Sequence, residues 1–123
     1  VRVKLWFSGN PIPKARPRVT KYGTYTSASS EEWEDTVGWQ CRDQWKRRPL
    51  LGPLGIEFIF YREDRRRVDL DNLEKAMLDA LEGILYDNDS QIKEKRGEIC
   101  YSKEHPGVEV GIWTLGGQKE EVC

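Results

Sequence analysis

Residues 69 to 92 read DLDNLEKAMLDALEGILYDNDSQI, a stretch in which five aspartates punctuate an apolar repeat. Leu70, Leu73, Ala76, Met77, Ala80 and Leu81 recur at steps of three and four, the spacing that gathers side chains on one face of a helix. That face must be buried, so the chain has to supply a packing surface for it. Asp71 stands where an N-cap is wanted, and Glu74, three residues on, completes a capping box, which places the helix from near Asn72 to near Glu82. Gly83 follows as a C-cap, and Ile84, Leu85 and Tyr86 lead into an Asp-Asn-Asp turn.

The aspartates outside the helix carry the chemistry. Asp69 and Asp71, two apart in a segment expected to be extended, share a side. Asp89 lies past a helix of roughly 11 residues, ~16 Å long at ~1.5 Å per residue. An extended return from Gly83 to Asn88 can cover that distance. Three carboxylates brought together repel, and so call for a divalent metal or for basic partners. Oxygen-only ligands favour Mg²⁺ or Mn²⁺ over zinc. Lys75, four residues after Asp71, falls on the same helical face, where an ammonium suits a phosphate.

Each piece also has an ordinary use: Asp71 as a cap, Asp79 and Glu82 as a solvated face, Asp87 to Asp89 as a polar turn. A calcium loop is excluded. Asp87, Asp89, Gln91 and Glu98 have the first, third, fifth and twelfth places of one, but Ile92 stands where its glycine belongs, and Lys93 to Arg96 are too basic.

The ordered set Asp69-Leu70-Asp71-Asn72-Leu73, Lys75, Asp79-Ala80-Leu81, Gly83 and Asn88-Asp89-Ser90-Gln91-Ile92 resembles the signature of the RusA family of Holliday junction resolvases. The resemblance implies that Asp69, Asp71 and Asp89 form a Mg²⁺ site, with Mn²⁺ as a possible substitute, and that Lys75 assists catalysis. The family usually has two adjacent aspartates in the last block, whereas this chain has Asn88 and then Asp89, with Asp87 just before. Ser90-Gln91-Ile92 aligns Asp89 with the second of the pair and leaves Asp87 as a substitute ligand. The implied activity is Mg²⁺-dependent cutting of four-way DNA junctions by a homodimer, in paired symmetric nicks with 5′-phosphate and 3′-hydroxyl ends, in recombination and repair. Two other functions stay open: a catalytically inactive junction-DNA-binding protein, and a metal-dependent nuclease of broader branched or single-strand preference.

At 123 residues the chain is read as one domain, residues 1–123, with 116–123 a frayed tail. No apolar run approaches ~18 residues, which excludes a membrane helix, and no charged-then-apolar leader opens the chain. Cys41, Cys100 and Cys123 are odd in number and lack metal-finger spacing, as expected of free thiols in a reducing compartment, and the expected location is cytoplasmic. The net charge of −1 hides an asymmetry: residues 1–67 carry 14 Lys and Arg against 8 Asp and Glu, and residues 68–123 carry 6 against 13. A basic half could hold phosphates while the acidic half holds metal, unless folding interleaves the two.

In chain order, residues 2 to 8 read as a first strand. Pro11 to Thr26 forms a basic loop in which Lys14, Arg16, Arg18 and Lys21 alternate with prolines and tyrosines, a pattern suited to a phosphate backbone. The family resemblance extends to the Lys-x-Arg-Pro-Arg stretch from Lys14 to Arg18. Ser29 with Glu32 forms a second capping box, and Trp33, Val37, Cys41 and Trp45 follow at steps of four, giving a helix up to Arg48-Pro49. Trp33 and Trp45 are assigned to the core, while Trp39 could face core or dimer.

Ile56 to Tyr61 is a strongly apolar strand, expected to be central. Arg65, Arg66 and Arg67, directly before Asp69, are read as phosphate contacts. Residues 91–101 and 107–115 are two further strands, expected to pair with each other as a hairpin, with His105 exposed between them. The order β-α-β-α-β-β gives an α+β domain: a mixed sheet of about four strands with two main helices against it.

Overall fold

The strand richest in apolar residues ends up inside the sheet, and the rest of the chain is layered around it. The structure, a computed structural model, describes residues 2–15, 18–20, 23–25 and 28–116, with 18–20, 23–25 and 28 described by their backbone. The elements are β1 (Arg2–Ser8), β2 (Arg18–Thr20), β3 (Gly23–Tyr25), α1 (Ala28–Gln44), β4 (Leu54–Arg62), α2 (Leu70–Leu81), a 3₁₀ turn (Asp89–Gln91), β5 (Ile92–Tyr101) and β6 (Gly107–Thr114). Four strands form a mixed sheet in the order β1-β6-β4-β5, and β2 and β3 form a separate antiparallel pair. The fold is the expected α+β arrangement, with β4 in the interior.

Register aligns the apolar rows. Opposite Phe58 on β4 lies Val110 on β6, and opposite Val110 lies Leu5 on β1; Phe60, Val108 and Phe7 form the next row. All six are buried and face the helices, whose Trp33, Val37, Cys41, Leu73, Ala76, Met77 and Leu81 close the core. Removing this apolar surface from water, at about 25 cal/mol per Å², is what drives the two layers together. The expected core assignments of Trp33 and Trp45 hold, whereas Trp39 is 70% exposed. Cys41 is buried, which pushes its thiol up to about 11 and leaves it unreactive at neutral pH. Cys123 lies outside the described residues. Among the described residues no helix is long and apolar enough to cross a membrane.

The expected hairpin of β5 and β6 does not form. Strand β5 pairs parallel to β4, with α2 as the crossover between them, and β6 lies on the other side of β4, antiparallel to both β4 and β1. The reason lies in the strands' surfaces. Val108, Val110 and Ile112 are fully buried, which suits an interior position, while β5, with Lys93, Glu94, Lys95, Arg96 and Glu98, is mostly exposed and suits a charged edge. Short connections favour hairpins, but burial decided the neighbours.

The other edge is closed by side chains. Gln40 and Gln44 of α1 bond to the outer backbone of β1: the Ser8 N–H donates to Gln40 Oε1 (2.8 Å) and the Trp6 N–H to Gln44 Oε1 (3.1 Å). In return Gln40 Nε2 donates to the Ser8 carbonyl (3.0 Å) and Gln44 Nε2 to that of Trp6 (2.7 Å). Two side-chain amides thus do the hydrogen bonding of a missing strand and block edge-to-edge pairing.

Helix α1 differs from its expected limits at both ends. It starts at Ala28, so Ser29 lies inside it rather than capping it, and it stops at Gln44, four residues short of Arg48. Within the basic segment, expected to be a loop, Arg18–Thr20 and Gly23–Tyr25 pair as antiparallel strands. Arg16 and Lys21, both expected to contact DNA, lie outside the described residues, as does the tail from 117 to 123.

Candidate active site

Helix α2 carries Asp71 and Lys75, and the return segment brings Asp89 to within 3.9 Å of Lys75, but the helix cap is not the expected one. Asp69, not Asp71, is the N-cap: its Oδ1 accepts the Asp71 N–H at 2.9 Å, and the helix starts at Leu70. The correction has a local cause. Asp69 holds an extended conformation (φ −85°, ψ 120°), which a cap needs, and its carboxylate faces the unsatisfied N–H groups of the first turn. Asp71 becomes the second helical residue, exposed, its charge favoured by the helix dipole. Glu74 closes no capping box. It is buried over Gly97 of β5, where a Cβ would meet its Oε2, and it is paired to Lys95 at 3.3 Å. At the far end Glu82, not Gly83, is the C-cap, and Gly83, one residue beyond it, takes a left-handed φ of 86°.

The return segment after α2 is pinned by Tyr86 and Gln91. Tyr86 is fully buried and donates its hydroxyl to the Leu78 carbonyl at 2.6 Å. The Oε1 of Gln91 accepts the N–H groups of Asp87 and Asn88, both at 3.0 Å, while its Nε2 donates to the carbonyls of Leu50 and Gly52, both at 2.9 Å. Asn88 caps the short 3₁₀ turn, accepting the Ser90 N–H at 2.8 Å, so the residue at the family's usual aspartate position performs a cap's work here. This lattice fixes the backbone from which Asp89 projects. Gln91 stood in the sequence signature without a role; its four hydrogen bonds supply one.

Asp89 comes back to Lys75. The Lys75 ammonium bonds Asp79 Oδ1 at 2.9 Å and lies 3.9 Å from Asp89 Oδ2. The hydrogen bond that Lys75 donates to Asp79 holds it above the usual lysine value, against a smaller opposing effect of burial, so it is a full cation at neutral pH. Asp71 shares its helical face, one turn toward the N-terminus. Asp79, for which a solvated face is the ordinary alternative, is a shared acceptor: its Oδ2 is 3.2 Å from Lys14 Nζ. The signal for it was present in the sequence, four residues after Lys75, but the spacing alone did not distinguish a solvated pair from a site pair.

Lys14 carries a second surprise. Its ammonium donates to both oxygens of Glu34, at 3.0 and 2.9 Å, and its backbone N–H donates to the Asn72 carbonyl at 2.8 Å. Burial alone would lower its pKa, but the bonds to Glu34 and Asp79 outweigh that and raise it. The other candidate DNA-binding cations whose side chains are described, Arg65 to Arg67, remain at the surface. The Arg65 guanidinium lies 4.4 Å over the Tyr101 ring, Arg66 pairs loosely with Asp64 at 3.9 Å, and Arg67 is exposed. For Arg18 only the backbone position, in β2, is described.

Asp69, Asp71 and Asp89 offer hard carboxylate oxygens, the donor type that magnesium and manganese prefer. The second oxygen of Asp69 and the carboxylate of Asp71 have no partner among the described residues, so both are chemically available. They do not, however, stand as a finished cage: among the described residues no group of three His, Cys, Asp or Glu is placed to hold a metal ion. The donor set fits a divalent ion in its chemistry, with two carboxylates at the helix N-terminus and the third beside Lys75.

Against known proteins, residues 8–113 match the family model described as endodeoxyribonuclease RusA. The chain is also similar to a crossover junction endodeoxyribonuclease RusA of Aquifex aeolicus (strain VF5), with 26% identity over 114 residues, 89% of this chain and 90% of that protein.

Proposed function

Given that the chain belongs to the RusA family of endodeoxyribonucleases, we propose that it resolves four-way DNA junctions by metal-dependent hydrolysis, with Asp69, Asp71 and Asp89 as the ligands of Mg²⁺ and Lys75 as a catalytic cation. The observation that supports the reading is the approach of Asp89 to within 3.9 Å of Lys75, a residue one helical turn along α2 from Asp71. A divalent ion bound there supplies Lewis-acid polarisation of the scissile phosphodiester.

The chain's own residues do the remaining work. Lys75 offers its ammonium to charge developing on the phosphate oxygens, where a preplaced cation is worth most. Asp69 combines two duties, since one oxygen caps α2 while the other stays available. Gln91 holds the Asp89 backbone. Arg65, Arg66 and Arg67, in the β4–α2 connection, engage the DNA backbone, with Arg16, Arg18 and Lys21 of the N-terminal segment as further contacts. Two cuts related by two-fold symmetry are most simply made by a symmetric homodimer.

The test is cleavage of a mobile four-way junction beside a linear duplex of the same sequence, with and without Mg²⁺. Paired nicks on the junction alone, dependent on metal, support the reading. Cutting of flaps and single strands at equal rates points to a nuclease of broader preference, and metal-independent binding without product points to an inactive junction binder. Asn88 gives no reason to expect the last, because it fills a capping role that needs no charge.

A narrower prediction concerns Arg66, whose side chain is 86% exposed. Arg66→Ala is expected to weaken junction binding and to lower the slope of log K against log salt by about one, the signature of a single lost phosphate contact. Titrations at several salt concentrations measure it, and an unchanged slope would remove Arg66 from the interface.

A further inference from the structure

Lys14 opens the basic segment, and by composition it belongs with the cations that hold DNA. Its surroundings say otherwise. The side chain is 31% exposed, and three carboxylate oxygens lie within 3.2 Å of its ammonium, two from Glu34 and one from Asp79. Glu34 is itself oriented, because the fully buried Ser30 donates its hydroxyl to Glu34 Oε2 at 3.3 Å and accepts the Ala15 N–H at 3.3 Å. Asp79 is divided between two lysines, with Oδ2 on Lys14 and Oδ1 on Lys75. A continuous chain of alternating charge therefore runs Glu34–Lys14–Asp79–Lys75–Asp89, from α1 through α2 to the return segment.

We infer that Lys14 is a positioning residue rather than a DNA contact: with Glu34 it fixes the Asp79 carboxylate, and Asp79 in turn fixes Lys75 beside Asp89. The inference rests on the junction-resolvase reading and assigns Lys14, Glu34 and Asp79 a place in that site. Two features support it. The charges of Glu34, Lys14, Asp79 and Lys75 cancel, so Lys14 has little positive field left for a phosphate. Its backbone N–H is also bonded to the Asn72 carbonyl in the first turn of α2, which ties the N-terminal segment to the helix that carries Asp71 and Lys75. Without Lys14, Asp79 loses one of its two anchors. Lys75 can then swing with it or fold onto Asp89.

The experiment uses the full chain with Lys14→Met, Lys14→Arg and Glu34→Gln, and with Arg66→Ala as the phosphate-contact control. Single-turnover cleavage at saturating junction, junction affinity without metal across a salt series, and thermal midpoints are measured for each. For Lys14→Met the expected result is a saturating rate lower by about ten- to a hundredfold, the scale of a misplaced catalytic group. Its affinity and salt slope should stay at the wild-type values. Lys14→Arg, which keeps a cation between the two carboxylates, should recover most of the rate. Glu34→Gln, which loosens the anchor but leaves the lysine, should lower the rate to a lesser degree and carries the test if Lys14→Met fails to fold.

A Lys14→Met variant that cuts at the wild-type saturating rate but shows weaker binding and a slope reduced by about one is a lost phosphate contact, and overturns the inference. Wild-type rate and affinity in both Lys14→Met and Glu34→Gln would overturn it as well. Both results presuppose a wild type that cuts. A wild type that cuts no junction brings down the resolvase reading and this inference together.

Discussion

Asp71→Asn is expected to lower the saturating rate of junction cleavage by at least about 100-fold, on the scale of losing one preorganised charge-stabilising group, while junction binding stays the same or tightens. The position of the helix cap makes this a clean test. Because Asp69 caps α2, the exposed Asp71 carboxylate is not needed to start the helix, and it has no ion pair to lose among the described residues. The amide keeps the shape of the side chain and removes one negative charge, which lowers the repulsion of a phosphate backbone. Thermal melts of the variant should therefore stay within a few degrees of the wild type, the loss being the roughly 0.3–1 kcal/mol of a charge at a helix N-terminus, and a gel assay separates binding from cutting. Asp89→Asn should behave alike, since its carboxylate is the one that meets Lys75. Asp87→Asn should keep most of the activity, because the tie from residue 87 to the site runs through its backbone N–H to Gln91. Wild-type cutting by Asp71→Asn would show that the site lies elsewhere.

The largest loss of stability is expected at Tyr86. The ring is fully buried, its hydroxyl bonds the Leu78 carbonyl, and its own carbonyl accepts the Gly83 N–H at 2.7 Å, locking the turn that leads from α2 to Asp89. Tyr86→Ala should cost about 3–5 kcal/mol, the usual range for deleting a buried aromatic ring, which is a large part of the stability of a domain this size. Tyr86→Phe keeps the ring and should cost about 1 kcal/mol for the hydroxyl's bond, more if the Leu78 carbonyl is left unsatisfied. Urea unfolding of the two variants distinguishes ring from hydroxyl. Burial, then the neighbouring Glu82 and Asp89 charges, push the phenol above its ordinary value of 10.0. A raised folded value means that its contribution is full below the unfolded value and is lost only as pH rises toward the folded one. The Tyr86 difference should thus stay constant between pH 6 and 9. A Tyr86→Ala protein as stable as the wild type would show that this turn is held elsewhere.

Some of the site was legible along the chain because its determinants are local. The apolar face of α2 is a matter of spacing, and Leu73, Ala76, Met77 and Leu81 are all fully buried as that spacing requires. Strand β4 was marked by its length of apolar residues, and the order of acidic blocks around α2 was itself the family signature. The start of α2 was less clear, since Asp69 and Asp71 are both good caps. Only the orientation of the first turn's N–H groups chose between them. Asp79 and Glu34 were visible as acids on helices, but nothing in a helical wheel says that they share a lysine from the N-terminal segment.

The sequence alone determined which faces of which segments are apolar, where the turns fall, and which acidic and basic residues stand near one another along the chain, because each of these depends on a few neighbouring residues. Tertiary structure decided which strands become neighbours and which charges meet. Alternation in β6 says that one face is buried, but it does not say that the strand lies between β1 and β4. That choice follows from burial summed over the whole sheet, which puts the charged β5 on the edge. Likewise Lys14 is drawn from its basic stretch into the Glu34–Asp79 pair because α1 and α2 pack side by side, and a partly buried ammonium is stable only where carboxylates surround it.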